Sequence, residues 1–376
     1  MSKRRWLFKL HTWLALIAAI PLLISCLTGA ILVFKYEIDS LLRPAAINVE
    51  QVLDERQSLD QLRSTVQQQF PAHEITGWTL FQQPQRADVV YLIAHGSSDW
   101  QHIYIDAYQG RVLTEPALAT THFTDWLLEL HYHLLLDHTG LLIAALASSM
   151  LCMLGISGLF IYRQFWANLL RLRWRAARLT LYVDTHSSFG MTLAPVMIIV
   201  GFTGAYWNFI HLIEEGLVHD DHAAHIVTEP MYEQSLSLQQ LRQQAESSID
   251  GFAATYISLP WAPGAQITFY GDVHDTNALT SQYASKVSFD PNSGQRLQVS
   301  DIRQESIGRR IDDSFRRLHF GDFAGLFSKA IWALAGLLVL WLTYTGLYVW
   351  WTKQKTQRQA RQRQQQRAAA TLSAQP

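Results

Sequence analysis

Leu318-His319-Phe320-Gly321, followed by the apolar run 327–351 (FSKAIWALAGLLVLWLTYTGLYVWW), decides how the chain is read, because a shorter version of it occurs earlier. His319 precedes Gly346-Leu347 by 27 residues, and His131 precedes Gly158-Leu159 by the same 27. A second pair of spacings matches as well: His11 lies 17 residues before Thr28-Gly29-Ala30, and His186 lies 17 before Thr203-Gly204-Ala205. Histidine is 15 of 376 residues, so one such coincidence carries little weight. Two together, in order, point to a duplicated unit.

Working outward, four runs are long enough for a hydrocarbon core of about 30 Å, which takes about 20 helical residues. They are Trp13–Phe34, Leu141–Tyr162, Phe189–Ile210 and Phe327–Trp351, the last holding Lys329 where it can snorkel. Two polar segments of roughly 100 residues separate the first from the second and the third from the fourth. The link between the second and third is short and basic.

Charge sets the expected orientation. Arg and Lys at 3–9, 163–178 and 353–367 make 15 of the 30 basic residues, against the single acid Asp184. By the positive-inside rule these three segments and both termini are cytoplasmic, which places the two large segments, with 30 of the 31 acids, outside. A cleaved signal peptide is the other reading of the first run, but it is too long and lacks a small-x-small cleavage site. The tail, QKTQRQARQRQQQRAAATLSAQP at 354–376, reads as a basic, partly disordered extension on the inner face that would meet membrane lipid.

Each polar segment opens with a helix and continues into strands. SLDQLRSTVQQQF at 58–70 carries Leu59, Leu62, Val66 and Phe70 on one face, with Ser58 as N-cap and Pro71 as the stop. Strands are expected over 75–81, 89–94 and 102–106. The second segment repeats the order: Ser237-Leu238-Gln239-Gln240-Leu241-Arg242 parallels Ser58-Leu59-Asp60-Gln61-Leu62-Arg63, and Asp290 with Gly294 parallels Asp106 with Gly110. The organisation is therefore a membrane helix (1–36), an α+β domain (37–130), a helix (131–163), a cytoplasmic loop (164–185), a helix (186–213), a second α+β domain (214–318), a helix (319–353) and the tail (354–376).

In this topology His11 and His186 fall at the cytoplasmic face, and His131 and His319 at the outer face. Two neutral imidazoles on facing helices are what a six-coordinate haem iron takes as axial ligands. The expected pairs are His11 with His186, and His131 with His319. The only cysteines, Cys26 and Cys152, lie inside apolar runs and no Cys-x-x-Cys-His occurs, so the expectation is two non-covalent haems b. Gly29, Ala30, Gly158, Gly204, Ala205 and Gly346 could open the space a porphyrin needs, or simply pack helices. An interfacial histidine also caps helices and binds headgroups, and only the paired, face-matched arrangement favours haem. His133 and His138, the latter seven residues on and so on the same helical face, compete with His131, and His211 is a further rival.

His219-Asp220-Asp221-His222-Ala223-Ala224-His225 could hold a divalent metal or be an acid-rich loop. Trp78, Trp100, Tyr256, Trp261 and Tyr270 could floor a cleft or pack strands. No Gly-x-Gly-x-x-Gly and no P-loop is present, so nicotinamide, flavin and ATP have no visible site. Electrons would come from a cytoplasmic-side partner or a quinol. Nothing suggests a nucleic-acid partner.

The Leu10-His11, Leu130-His131 and Leu318-His319 openings, with a helix and an Asp-x-x-x-Gly sheet inserted between membrane helices, resemble the PepSY-associated transmembrane family over nearly all of 1–353. Asp184-Thr185-His186 departs from the pattern by lacking the Leu. The resemblance implies an α-helical membrane protein with two periplasmic PepSY-like domains, akin to inner-membrane di-haem oxidoreductases of the ferrioxamine-reductase kind. Their acceptor is a ferric siderophore. Electron delivery to another outer acceptor, and a non-redox sensor or scaffold, are the alternative expectations.

Overall fold

The computed structural model describes residues 3–162, 173, 175–218 and 225–373. In chain order the first half comprises α1 (Lys3–Leu32), α2 (Lys35–Leu42), α3 (Pro44–Ile47), α4 (Leu59–Gln69), β1 (His73–Thr79), β2 (Asp88–Ala94), β3 (Trp100–Asp106), β4 (Arg111–Val112), β5 (Ala117–Leu118), α5 (Phe123–His133) and α6 (Asp137–Ile161). The second half comprises α7 (Arg178–Val218), α8 (Leu238–Ser248), β6 (Phe252–Ser258), β7 (Ile267–Val273), β8 (Ser285–Phe289), β9 (Arg296–Ser300), α9 (Ile307–Phe320) and α10 (Gly325–Ser373). The chain divides into a helical unit, 1–33 with 130–212 and 329–376, and a sheet unit, 34–129 with 213–328.

Among the described residues, four helices are long and apolar enough to cross a membrane: Lys3–Leu32, Asp137–Ile161, Arg178–Glu214 and Gly325–Arg367. In the helical unit they share a core of Ala18 and Leu22 (α1), Leu151 and Leu154 (α6), Leu193 and Met197 (α7), and Val339 and Leu342 (α10). Small residues set the closest approaches. A Cβ on Gly201 would lie 2.7 Å from the Cys152 nitrogen, and one on Gly336 would lie 2.9 Å from the Cys26 carbonyl. Both cysteines thus sit at helix contacts, as small packing residues do in membranes.

Three expectations change. The segment after residue 353 is not irregular: α10 runs on to Ser373, because Gln, Arg and Ala are strong helix formers and no Gly or Pro interrupts them. His131 and His319 do not open the membrane helices that follow them. Each ends a preceding helix, α5 or α9. Leu134, Leu135 and Asp137 adopt left-handed backbone between α5 and α6, and Gly321 caps α9 at φ 67°. His138 therefore lies on a different helix from His131, and the shared-face argument for it fails.

In the sheet unit nine antiparallel strands form one sheet in the order β4-β3-β2-β1-β6-β7-β8-β9, with β5 on β3. The two α+β halves expected from the sequence are joined edge to edge through Trp78↔Ile257 and its neighbours on β1 and β6. Ser58 caps α4 in a full capping box with Gln61, and Ser237 caps α8. Asp60 crosses between the halves, accepting from the Ser237 hydroxyl and from the Leu238 N–H at 2.8 Å. One apolar core, from Leu62 and Trp78 to Leu241 and Phe289, serves both halves. The Asp-x-x-x-Gly turns have a common cause: the Asp106 carboxylate accepts from the Tyr108 and Gln109 N–H groups, Asp290 does the same for Asn292 and Ser293, and Gly110 and Gly294 take φ near +66° and +69°. Positive φ is where glycine is favoured.

Candidate functional site

His11 on α1 and His186 on α7 face each other with ring centres 6.5 Å apart and ring planes at 82°. Each ring is held from a neighbouring helix in the same manner. His11 Nδ1 is 2.8 Å from Ser157 Oγ on α6, and His186 Nδ1 is 3.1 Å from Thr345 Oγ1 on α10. The hydroxyl protons are engaged elsewhere: Ser157 donates to the Leu154 carbonyl and Thr345 to the Trp341 and Leu342 carbonyls. A hydroxyl has one proton to give, so it accepts from the imidazole, which puts the ring proton on Nδ1 and leaves the Nε2 lone pair free to bind a metal.

The residue after each hydroxyl is glycine, and the ring lies against it. A Cβ on Gly158 would be 4.0 Å from His11 Cε1, and one on Gly346 would be 3.2 Å from His186 Cε1. Ser157-Gly158 and Thr345-Gly346 are thus two-residue seats, one atom orienting the ring and one absent atom making room for it.

His131 has the same seat at the other end of α1. Its Nδ1 donates to the Ser25 carbonyl at 2.9 Å and lies 3.0 Å from Thr28 Oγ1, while a Cβ on Gly29 would approach Cε1 to 2.8 Å. At about 1.5 Å per residue, the 17 residues from His11 to Thr28 place the two levels about 25 Å apart along α1. Thr203-Gly204 on α7 is a fourth hydroxyl-glycine pair, with the Thr203 hydroxyl likewise bonded to its own helix at Ile199.

The arrangement fits a haem at the His11 level. Two imidazoles on opposite sides of one iron, each bound at about 2 Å, have ring centres roughly 6 Å apart. Both rings open onto a cavity of about 640 Å³, lined by apolar side chains such as Leu151, Leu154, Met197 and Leu342 and by Gly158, Gly190 and Gly346. Pockets for drug-sized ligands run from about 300 to 1,000 Å³. Lys9 and Lys353 also line it, and Lys353 Nζ stacks 5.1 Å from the Phe8 ring. Cations there would meet the two carboxylates that a haem b carries.

The other sequence candidates are not among the residues that line this cavity. His319 is in the last turn of α9 in the sheet unit, its ring 6.1 Å from Phe320. His133 packs against Tyr132, His138 is in the first turn of α6, and His211 lies near the end of α7. His219 and His222 lie outside the described residues, and His225 is only partly buried. Trp78 is a core residue, wholly buried, with its indole N–H donating to Asp88. Trp100 and Trp261 pair at 5.4 Å, and Tyr256 packs on Tyr270 and Tyr283, in the sheet unit.

What the spacing argument missed is the hydroxyls. Ser157, Thr345 and Thr28 each precede a glycine already singled out, and the repeated hydroxyl-glycine pair was the available signal. The 17- and 27-residue offsets connect each histidine to a glycine of its own repeat, whereas the seats are made between helices.

No curated protein matches the chain. The profile of the PepSY-associated TM region matches residues 8–353. With four apolar helices and nearly the whole length covered, this multi-pass membrane protein belongs to the PepSY-associated TM region family.

Proposed function

We propose that the chain is a di-haem b protein of a bacterial cytoplasmic membrane that carries electrons from the cytoplasmic side to a ferric siderophore outside, releasing Fe(II). The observation carrying this reading is the His11–His186 pair: two oriented imidazoles 6.5 Å apart, opening onto one apolar cavity. When bound, haem iron supplies a one-electron carrier that no side chain among these can replace.

The protein's own part is to hold the rings. Ser157 and Thr345 fix the tautomer, Gly158 and Gly346 give the rings room, and the apolar lining keeps water away. The second haem rests on the sequence pairing of His131 with His319, and on the oriented His131 ring.

The basic flanks at 3–9 and 353–367 favour a cytoplasmic location for both termini. Outward electron flow is then downhill, by about 2.3 kcal/mol per 100 mV for each electron with the inside negative. Hard oxygen chelates hold Fe(III) better than Fe(II), so one electron loosens the ion. The donor on the inner side is a partner protein or a quinol.

The test is haem stoichiometry by pyridine haemochrome on the purified full-length protein, followed by dithionite reduction and mixing with ferric siderophores. Two haems per chain and reoxidation faster than in buffer are expected. A chain with no Soret absorption after expression with haem available rejects the redox reading altogether. Two haems with no acceleration by any ferric chelate rejects only the acceptor.

A further inference from the structure

The sheet unit contains a second constellation of metal-binding side chains, unrelated to the haem histidines. His102 on β3, His122 immediately before α5 and Asp125 in the first turn of α5 place one ligand atom each within 4.8 Å of one another. We infer that these three residues form a binding site for a divalent first-row transition-metal ion.

The individual contacts support an ion rather than an ordinary polar cluster. The His102 and His122 rings stand 6.0 Å apart at 70°, an edge-on approach of two imidazoles with no hydrogen bond between them among the described contacts. His102 Nε2 lies 3.7 Å from Asp125 Oδ2, too long for a hydrogen bond. Asp125 Oδ2 itself is buried and has no hydrogen-bond partner. A buried carboxylate oxygen in that state costs free energy, which a cation in the gap would recover.

Asp125 is also presented in a fixed pose. Its other oxygen, Oδ1, accepts from Lys35 Nζ at 2.6 Å, so the carboxylate is pinned and only Oδ2 is offered. The Lys35 ammonium does not leave the site repulsive, because it also donates to Asp39 at 2.8 Å. Arg43, in turn, pairs with Asp39 at 3.2 Å, and Thr124 donates to Asp39 at 2.6 Å. These groups form a braced second layer behind the ligand, the kind of support that orients metal-bound carboxylates.

Two imidazoles and one carboxylate are a borderline donor set that suits Fe(II), Co(II) or Zn(II) over Mg(II) or Ca(II), and leaves coordination positions for water or a further ligand. Ligands about 2.1 Å from a common ion stand roughly 3 to 3.5 Å apart. Binding would draw these atoms together from within 4.8 Å, with His122 on a loop and His102 on a strand flanked by Tyr91 and Ala117. The inference does not depend on the haem reading, because no residue is shared.

The experiment is equilibrium dialysis of the full-length protein against Zn(II), which undergoes no redox change, with bound zinc and haem iron counted by elemental analysis on one sample. One zinc per chain is expected beyond any loop binding. His102→Ala, His122→Asn and the isosteric Asp125→Asn should each weaken it at least tenfold while leaving iron unchanged. A His219→Ala/His222→Ala/His225→Ala variant should retain it. Zinc affinity unchanged in His102→Ala and His122→Asn overturns the proposal. Zinc-edge absorption spectroscopy on the unsubstituted protein needs no variant: two imidazoles in the first shell support the site, and their absence overturns it.

Discussion

Histidines are used in two ways in this molecule, and the contrast lies in what stands behind each ring. In the helical unit His11, His186 and His131 are backed by hydroxyls and a backbone carbonyl, all neutral, with no carboxylate within ion-pair distance among the described contacts. In the sheet unit His102 and His122 converge on Asp125. Charge explains the difference. An iron porphyrin brings its own two negative charges on the ring nitrogens, so its axial ligands in a low-dielectric layer need none. A bare dication brings only positive charge, and an anionic oxygen in its site offsets that charge. The neutral seats therefore suit a cofactor and the anionic triad suits an ion.

The largest effect expected is a double dissociation. His11→Ala or His186→Ala should lower haem from two to one per chain and leave zinc binding untouched, while Asp125→Asn should do the reverse. Haemochrome and zinc analysis on the same preparations read both. A His11→Ala protein that loses zinc along with haem would break the comparison, since it would mean that the two sets of histidines answer to one fold and not to separate sites.

A graded loss should follow at the glycines. The Cβ distances to the histidine rings are 2.8 Å at Gly29, 3.2 Å at Gly346 and 4.0 Å at Gly158. Gly29→Ala forces a shift, Gly346→Ala presses on the ring, and Gly158→Ala makes an ordinary contact. Haem retention should rank Gly158→Ala highest and Gly29→Ala lowest. Helical content by circular dichroism should stay constant across the three, because alanine is the better helix former. Equal retention in all three would show that the rings do not need these seats.

How far the sequence could carry this reading is visible at particular residues. Runs of apolar residues located the spans, Ser58 announced the start of α4, and Asp106 with Gly110 announced a turn, since each depends on neighbours in the chain. His11 and His186 were legible through a repeated offset. The pairing of β1 with β6 was not, because it joins strands nearly 180 residues apart and no local pattern encodes which edge meets which. The Ser157 and Thr345 partnerships were hidden for the same reason, being contacts between helices. His102, His122 and Asp125 show no motif, as a strand and a helix start bring them together. The break at Leu134–Leu136 was hidden differently: three leucines read as helix, and the left-handed backbone of Leu134 and Leu135 is one that bulky residues rarely adopt.

Removing a hydroxyl should act more gently than removing a ring or crowding it. Ser157→Ala deletes the hydroxyl that accepts from His11 Nδ1–H, whereas Thr345→Val leaves His186 its backbone hydrogen bond to Leu342. A hydrogen bond at that position raises the basicity of the metal-bound nitrogen, and loss of such partners typically costs about 10- to 100-fold in metal affinity. A less basic ligand stabilises Fe(III) less, so the reduction potential of the haem lost in His11→Ala should rise in Ser157→Ala, and less in Thr345→Val. Spectroelectrochemical titration measures it. An unchanged potential in Ser157→Ala would mean that the Ser157 hydroxyl does not accept from His11.

Thr28→Val should do little, and the reason separates His131 from His11. His11 has Ser157 Oγ beside Nδ1, whereas His131 Nδ1 has both Thr28 Oγ1 at 3.0 Å and the Ser25 carbonyl at 2.9 Å. A carbonyl oxygen can only accept, so it takes the Nδ1 proton whether or not the hydroxyl is there, and a side-chain substitution at residue 28 cannot remove it. Valine also preserves the branched shape of threonine at a position only 3 % exposed, so packing against Gly29 and the ring is kept. The haem that depends on His131 should therefore keep its potential in Thr28→Val while the other haem shifts in Ser157→Ala. Shifts of equal size would place the His131 proton on the threonine, and the carbonyl would then be a bystander.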